Sequence, residues 1–486
     1  MGLLKNKVFI ISIALWCFIT IVRILNHIAW FDEAHAWTIA EELNLFEIFK
    51  LSKIEGHTFI WYLLLMPFAK FHWGYPYVMQ FLNWIFCLIA LLILWSKAPF
   101  SNFIKALITF SYPFLFLYSV YARCYSIGIM LLFLLAALYI DKLKHPIIYS
   151  LALVMCANTS LMALIGASAF GLLFLFDFIK SKPDKKLLFQ VFFILIIGVI
   201  LVLHQVIGID ETAIANYKGI QFNHDIIIKY IFVLVVLFIF CVFPLLLNFK
   251  KNIKPLFFIL FSWLILTYVF LFKFYGHYWN HSFYYIYFLM TGWLYFETKE
   301  SQNLKELISG SILSGILIIV SITNFFIPNL IKNDRGLYDM VQSPDITLSK
   351  IILKDETLIG QKIIVGNNSF LGYMLLPYHK FELLNYCGDG IFNYNYLKGA
   401  FESKYCYDSF DKSFQHVILS GDRVATLLNE SREAYTSLDF ESLFKTNNNE
   451  KVMLKSSNNV KYVVEIYKCM SVKDKNVCLY KISQMN

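Results

Sequence analysis

Charge is what this chain has least of. Only 15% of its 486 residues are Asp, Glu, Lys or Arg, against 58% hydrophobic, and the mean hydropathy is +0.61. So little charge excludes an ordinary soluble globular protein and leaves a polytopic α-helical membrane protein. A basic patch is also missing. The formal net charge is +9, but the lysines fall in short loops between apolar runs, which argues against nucleic acid as a partner. No small-residue cleavage site follows the first apolar run, so that run reads as a retained span rather than a removed signal peptide. There is no obvious internal repeat and no charge deep within a well-defined span, two features that transporters tend to show.

Apolar length predicts about eleven spans, near 8–25, 76–95, 103–119, 124–140, 146–160, 162–179, 187–207, 229–248, 256–274, 281–296 and 307–327, because about 20 mostly apolar residues match the bilayer core. Within 146–179 only Asn158-Thr159-Ser160 interrupts the apolar run, so a pair of spans or one kinked helix both fit. Lysine placement orients the set. With the N-terminus cytoplasmic, the inside segments hold Lys5, Lys7, Lys97, Lys142, Lys144 and the 180–186 and 250–254 clusters, while the outside loops hold far fewer. This is a positive-inside pattern, and an odd number of spans puts the C-terminus outside.

The first outer loop, 26–75, is too long for a hairpin. Residues 36–54 alternate at helical spacing and 57–71 are apolar but too short to span, so both read as amphipathic helices lying in the interface. From about residue 329 the apolar runs stop, and a tail of this length suffices for one small domain. Runs 361–367, 416–421, 462–469 and 477–483 read as strands, the last two as a hairpin. A small extracytoplasmic α/β domain over 329–486 follows, with 1–328 as the transmembrane domain. Cys387, Cys406, Cys469 and Cys478 all fall in that tail, and four cysteines in an oxidising compartment allow three pairings. Cys469–Cys478 across the hairpin, with Cys387–Cys406, is the favoured one.

By this topology four features share the outer membrane face. Trp30–Trp37, reading WFDEAHAW, carries Asp32, Glu33 and His35. EGHTFIWY carries Glu55 and His57. YSVYARCYS carries Arg123 and Tyr125. KFYGHYWNHSFYY carries Lys273, His277 and His281 amid Tyr and Trp. Carboxylates suit base work or metal ligation; Arg, Lys and His suit phosphate; aromatic faces suit a sugar or a prenyl chain. Each feature also has a plain structural reading: an interface belt for the aromatics, snorkelling for Arg123, a solvated turn for His277 and His281, packing for His35.

The same four segments resemble the integral-membrane C-type glycosyltransferase superfamily, in its bacterial branch related to protein O-mannosyltransferases and lipid A aminoarabinose transferases. The resemblance covers roughly residues 8–300. In that superfamily the first outer loop carries an acidic pair after span one and then two interfacial helices. The second often opens His-Pro-Pro, where this chain has His57-Thr58-Phe59. The resemblance implies an inverting sugar transfer from a polyprenyl-phosphate donor to an extracytoplasmic acceptor at a bacterial inner (plasma) membrane, the acceptor being a glycolipid, a surface polysaccharide or a protein. Asp32 is then the base, Glu33 supports the loop or a metal, and Arg123 with the 276–281 histidines holds the phosphate. A divalent cation (Mg or Mn) stays open, since some relatives need none. Two other classes compete: a transporter or flippase of lipid-linked sugars, and a non-catalytic scaffold that presents the tail to an envelope assembly machine.

Overall fold

A computed structural model describes residues 6–55, 58–206, 242–247, 249–272, 278–297, 310–319, 349, 352–354, 356, 359–360, 362–365, 369–384, 416–420, 451–455, 461–472 and 475–484. The chain is a helical membrane protein. Among the described residues, five helices are long and apolar enough to cross a membrane: α1 (Lys7–Asn26), α5 (Tyr77–Lys97), α9 (Leu161–Lys180), α10 (Lys185–Val206) and α11 (Ile253–Phe272). Between them run α2 (Phe31–Glu42), α3 (Leu45–Glu55), α4 (Ile60–Lys70), α6 (Asn102–Thr109), α7 (Tyr125–Leu138) and α8 (Pro146–Ala157), and α12 (Phe283–Glu297) follows. Most predicted spans coincide with these helices. The 229–248 and 307–327 spans and the outer loop near 208–227 lie mostly or wholly outside the described residues.

The chain divides into two compact units. The first holds residues 1–26, 43–65 and 77–331; the second holds 27–42, 66–76 and 332–486. In the first unit, α1 buries Phe9, Ser12, Trp16, Thr20 and Ile24, one stripe at helical spacing. Its other face leaves Ile11, Leu15 and Phe18 exposed, and α10 exposes Phe189, Phe193 and Ile200. Apolar outer faces of this kind suit lipid, which has no hydrogen bonds to lose. Indoles fasten the helices where polar groups are scarce. Trp16 Nε1 donates to the Phe114 carbonyl at 2.9 Å, and Trp84 Nε1 donates to Thr20 Oγ1 at 2.8 Å, while the two rings stack at 5.6 Å. Small residues bring α7 and α9 together: a Cβ built on Gly128 would lie 2.8 Å from Ala163 Cβ and 2.9 Å from Thr159 Oγ1. Close backbone approach through small residues is the usual route to helix association in lipid. Asp177 Oδ2 accepts from Lys142 Nζ at 3.0 Å and Lys254 Nζ at 2.7 Å, tying α9 to α11 and to the turn before α8.

Two readings change, and an open one closes. The 36–54 helix is broken at Leu43-Asn44, because Asn44 Oδ1 accepts from the N–H groups of Phe46 and Glu47 and Glu47 Oε2 accepts from Asn44 N. That reciprocal capping box starts a new helix, α3. The 103–119 run ends as an α-helix at Thr109 and resumes as a π-helical turn, Pro113–Leu117, since proline supplies no N–H to the preceding turn. Of the two alternatives for 146–179 the pair of helices is the one that forms, with Ser160 Oγ accepting from Ala163 N at 3.1 Å to begin α9.

In the second unit, α2 packs against a short helix, Ser369–Leu375, and the 3₁₀ turn after it. The tail also carries a six-stranded sheet in the order β2-β1-β3-β6-β5-β4. Its strands are β1 (Lys362–Val365), β2 (Glu382–Leu384), β3 (His416–Ser420), β4 (Lys451–Lys455), β5 (Lys461–Val472) and β6 (Lys475–Gln484). β1 runs parallel to β2 and β3, and the other pairs are antiparallel. The β5–β6 register sets Cys469 opposite Cys478. Cys387 and Cys406 lie outside the described residues.

Candidate functional site

The acidic pair lies on a helix, not in a loop. Glu33 and Ala34 donate their backbone N–H groups to the Trp30 carbonyl, each at 2.9 Å, and α2 begins. Glu33 Oε2 then reaches back to accept from Trp30 N at 2.8 Å, the carboxylate half of a capping box. The same oxygen meets His27 Nε2 at 2.7 Å. The Glu33 side chain is 1% exposed and that of His27 is 9% exposed. Asp32, one residue earlier, is only partly buried. Both acids sit in the first turn, where the helix dipole favours negative charge. The two carboxylates therefore have different situations: one is enclosed and spans two donors, the other keeps contact with solvent.

The rest of α2 is fixed by aromatic packing. Residues Ala34 to Ala40 are buried. The His35 ring stacks on Phe31 at 5.6 Å and meets Tyr373 edge-on at 5.4 Å. Trp37 lies 5.2 Å from Tyr75, which meets Tyr378 at 5.0 Å. Burial pushes the Tyr75 phenol well above its usual pKa, with nearby Tyr378, Glu33 and Glu41 adding to the shift. Such contacts, each about 0.5–1.5 kcal/mol beyond area burial, hold the helix that carries Asp32. Glu33 Oε2 is shared between His27 Nε2 and Trp30 N.

In the first unit a second set of predicted residues comes together. Arg123 lies just before α7, its guanidinium carbon 5.4 Å from the Tyr125 ring centroid and 5.6 Å from that of Trp279. Both lie within cation–π range. The 279–280 segment is pinned there by two hydrogen bonds: Tyr118 Oη donates to the Trp279 carbonyl at 2.7 Å, and Asn280 Nδ2 donates to Tyr125 Oη at 2.9 Å. Behind them Asn83 Nδ2 donates to the Tyr118 carbonyl at 2.8 Å, and Ser126 Oγ donates to Asn83 Oδ1 at 2.7 Å. This network gives Arg123 a fixed aromatic collar. A fixed cation is the arrangement a leaving phosphate needs.

Sequence reasoning found Arg123 and Tyr125 but missed Asn83, Trp279 and Asn280. A polar Asn83 within the apolar run FLNWIF was the available signal, since intramembrane polar groups are costly and are kept where they bond. His281 lies at the end of the helical turn Tyr278–His281, with its ring 4.5 Å from Phe270. Glu55 ends α3. His57, Lys273 and His277 lie outside the described residues. No known family profile matches the chain, and no curated protein matches it.

Proposed function

We propose that the chain is an inverting membrane glycosyltransferase that moves a sugar from a polyprenyl-phosphate donor to an extracytoplasmic acceptor. The observation that carries this reading is the division of labour at the start of α2. Glu33 is buried and bridges His27 and Trp30 N, while Asp32 keeps solvent contact beside it. That is the disposition of a base and its support. In the reaction Asp32 takes the proton of an acceptor hydroxyl. The freed oxygen attacks the anomeric carbon, and the bond to the lipid phosphate breaks with its electron pair going to phosphate. Configuration inverts because attack and departure are on opposite faces. The leaving phosphate needs no strong acid but does need positive charge in place. Arg123, within cation–π range of Tyr125 and Trp279, supplies it.

The rest of the architecture follows this reading. The protein sits in a bacterial inner membrane with its N-terminus inside, about eleven spans, and a small α/β tail domain outside. Membrane lipids and the acceptor glycan, lipid or protein are its partners. The test is deletion of the gene followed by mass analysis of surface glycans and of lipid-linked sugars. A transferase leaves the acceptor lighter by one sugar, with its donor accumulated on the outer face. A flippase would leave the donor trapped on the inner face, and a scaffold would leave it unchanged.

A further inference from the structure

Three side chains from distant parts of the chain meet in the second unit. His72 Nδ1 lies 2.6 Å from Glu41 Oε1, and His379 Nε2 lies 2.7 Å from the same oxygen. The candidate ligand atoms of all three residues lie within 4.8 Å of one another, and the two imidazoles meet edge to face at 4.5 Å. Glu41 closes the last turn of α2, His72 follows α4, and His379 follows the 3₁₀ turn Leu376–Tyr378.

Both histidines sit at left-handed helix endings. His72 has φ 52° and His379 has φ 50°, the left-handed region that disfavours a residue with a Cβ. Each donates its N–H back into the preceding turn, His72 to Ala69 O and His379 to Leu376 O. These are helix-terminating positions where glycine or asparagine is the easy occupant. Both positions instead carry an imidazole turned to one carboxylate oxygen. Lys182, after α9, ends its helix in the same way at φ 51°, so it is the shared carboxylate and not the backbone that sets the two histidines apart. Lys70 Nζ donates to the Glu41 carbonyl at 2.6 Å, further fixing the end of α2. The histidine side chains are 60% and 49% exposed and that of Glu41 is 10% exposed, so an ion has a path from solvent.

We propose that Glu41, His72 and His379 form a binding site for a first-row divalent transition ion, with zinc the best fit. Two imidazoles and one carboxylate make a three-ligand set that leaves the fourth tetrahedral position to water. Imidazole selects zinc, cobalt, nickel or copper over magnesium, which prefers oxygen ligands. Only a small opening is needed: metal–ligand bonds of about 2.0–2.1 Å in a tetrahedron place ligand atoms about 3.3 Å apart, slightly wider than the present hydrogen bonds. The site is separate from the proposed base. Asp32 and Glu41 are nine positions apart on α2, about 13 Å along the axis at about 1.5 Å per residue, too far to share one ion. It therefore stands whether or not the glycosyl-transfer reading does. The bound ion would clasp the end of α2, the turn after α4 and the tail segment after Tyr378, which are separate in sequence.

The test uses the full-length protein in detergent or nanodiscs, stripped with chelator and titrated with Co²⁺. The wild type should develop the intense visible absorption of tetrahedral cobalt at one equivalent, and Zn²⁺ but not Mg²⁺ should bleach it. Zn²⁺ should also raise the thermal midpoint. Glu41→Gln, His72→Gln and His379→Gln should each weaken binding by at least about a hundredfold, while His145→Ala, which removes a surface histidine, should not. If the wild type gives no tetrahedral band, or if the triple glutamine variant keeps the same band and affinity, the three residues are only a hydrogen-bonded cluster. The wild-type spectrum decides this even if a variant fails to fold.

Discussion

Replacing Glu33 by alanine should loosen the start of α2 more than replacing it by glutamine. The carboxylate is 1% exposed and accepts at one oxygen from His27 Nε2 at 2.7 Å and from Trp30 N at 2.8 Å. Hydrogen bonds to a charged group contribute about 1.5–3 kcal/mol each. Alanine deletes both and leaves two enclosed donors without this acceptor, so a loss of about 3–5 kcal/mol is expected. Glutamine keeps an acceptor for Trp30 N–H and gives up the charge, for about 1–1.5 kcal/mol. A unit of this size shifts its melting midpoint by about 2–4 °C per kcal/mol. Glu33→Ala should then melt about 6–20 °C lower and Glu33→Gln about 2–6 °C lower, read by differential scanning fluorimetry on detergent-purified protein. Limited proteolysis between residues 27 and 42 should follow the same order. An alanine variant that melts with the wild type, or a glutamine variant less stable than alanine, would refute the structural role given to Glu33.

Other outcomes follow from the first unit and from the topology. Arg123→Ala should weaken donor binding and turnover by about 1.5–3 kcal/mol, and Arg123→Lys should recover little of it, because a planar fork becomes a point charge. Unchanged donor affinity in Arg123→Ala would reduce it to a snorkelling residue. Gly128→Ala places a methyl 2.8 Å from Ala163 Cβ and should cost about 1–3 kcal/mol as α7 and α9 are forced apart; an unshifted melting midpoint would show that the helices yield freely. Alkaline phosphatase fused after residue 330 should be active and after residue 185 inactive. The reverse pattern would put every proposed site residue on the wrong side of the membrane.

Much of the helical framework was legible because apolar length is a direct physical signal. α1, α5 and α10 lie within two or three residues of the runs that announced them. What the pattern hid were local hydrogen-bond choices. Asn44 sits in a stretch whose alternation suits one continuous helix, and only its side chain turning onto Phe46 and Glu47 divides α2 from α3. Pro113 stood in plain view, but a long apolar run outweighed it. The start of α2 was masked by its N-cap. Trp30 has no side-chain oxygen of the kind that marks helix starts, so the predicted helix began at residue 36, past Asp32 and Glu33. Arg123 was legible from its position at the head of a run, whereas Trp279 was seen only as a belt residue and Asn280 not at all. Their role depends on hydrogen bonds to Tyr118 and Tyr125 across the fold. The Glu41, His72 and His379 cluster has no sequence signature at all, because its members are drawn from three distant segments.

Whether Asp32 is the base is decided by comparing Asp32→Asn with Glu33→Gln. Both variants are expressed in the deletion strain, checked for membrane insertion and melting, and assayed for restoration of the missing glycan mass. Asparagine keeps the shape of Asp32 and cannot accept the proton, and a positioned base accounts for about 10²–10⁴-fold in rate. Asp32→Asn should therefore melt within about a degree or two of wild type, as expected for a partly exposed site, and transfer at least about a hundredfold more slowly. Glu33→Gln should lose stability first and keep most of its rate. If Asp32→Asn transfers at the wild-type rate while folded and inserted, Asp32 is not the base and the transferase reading loses its principal support.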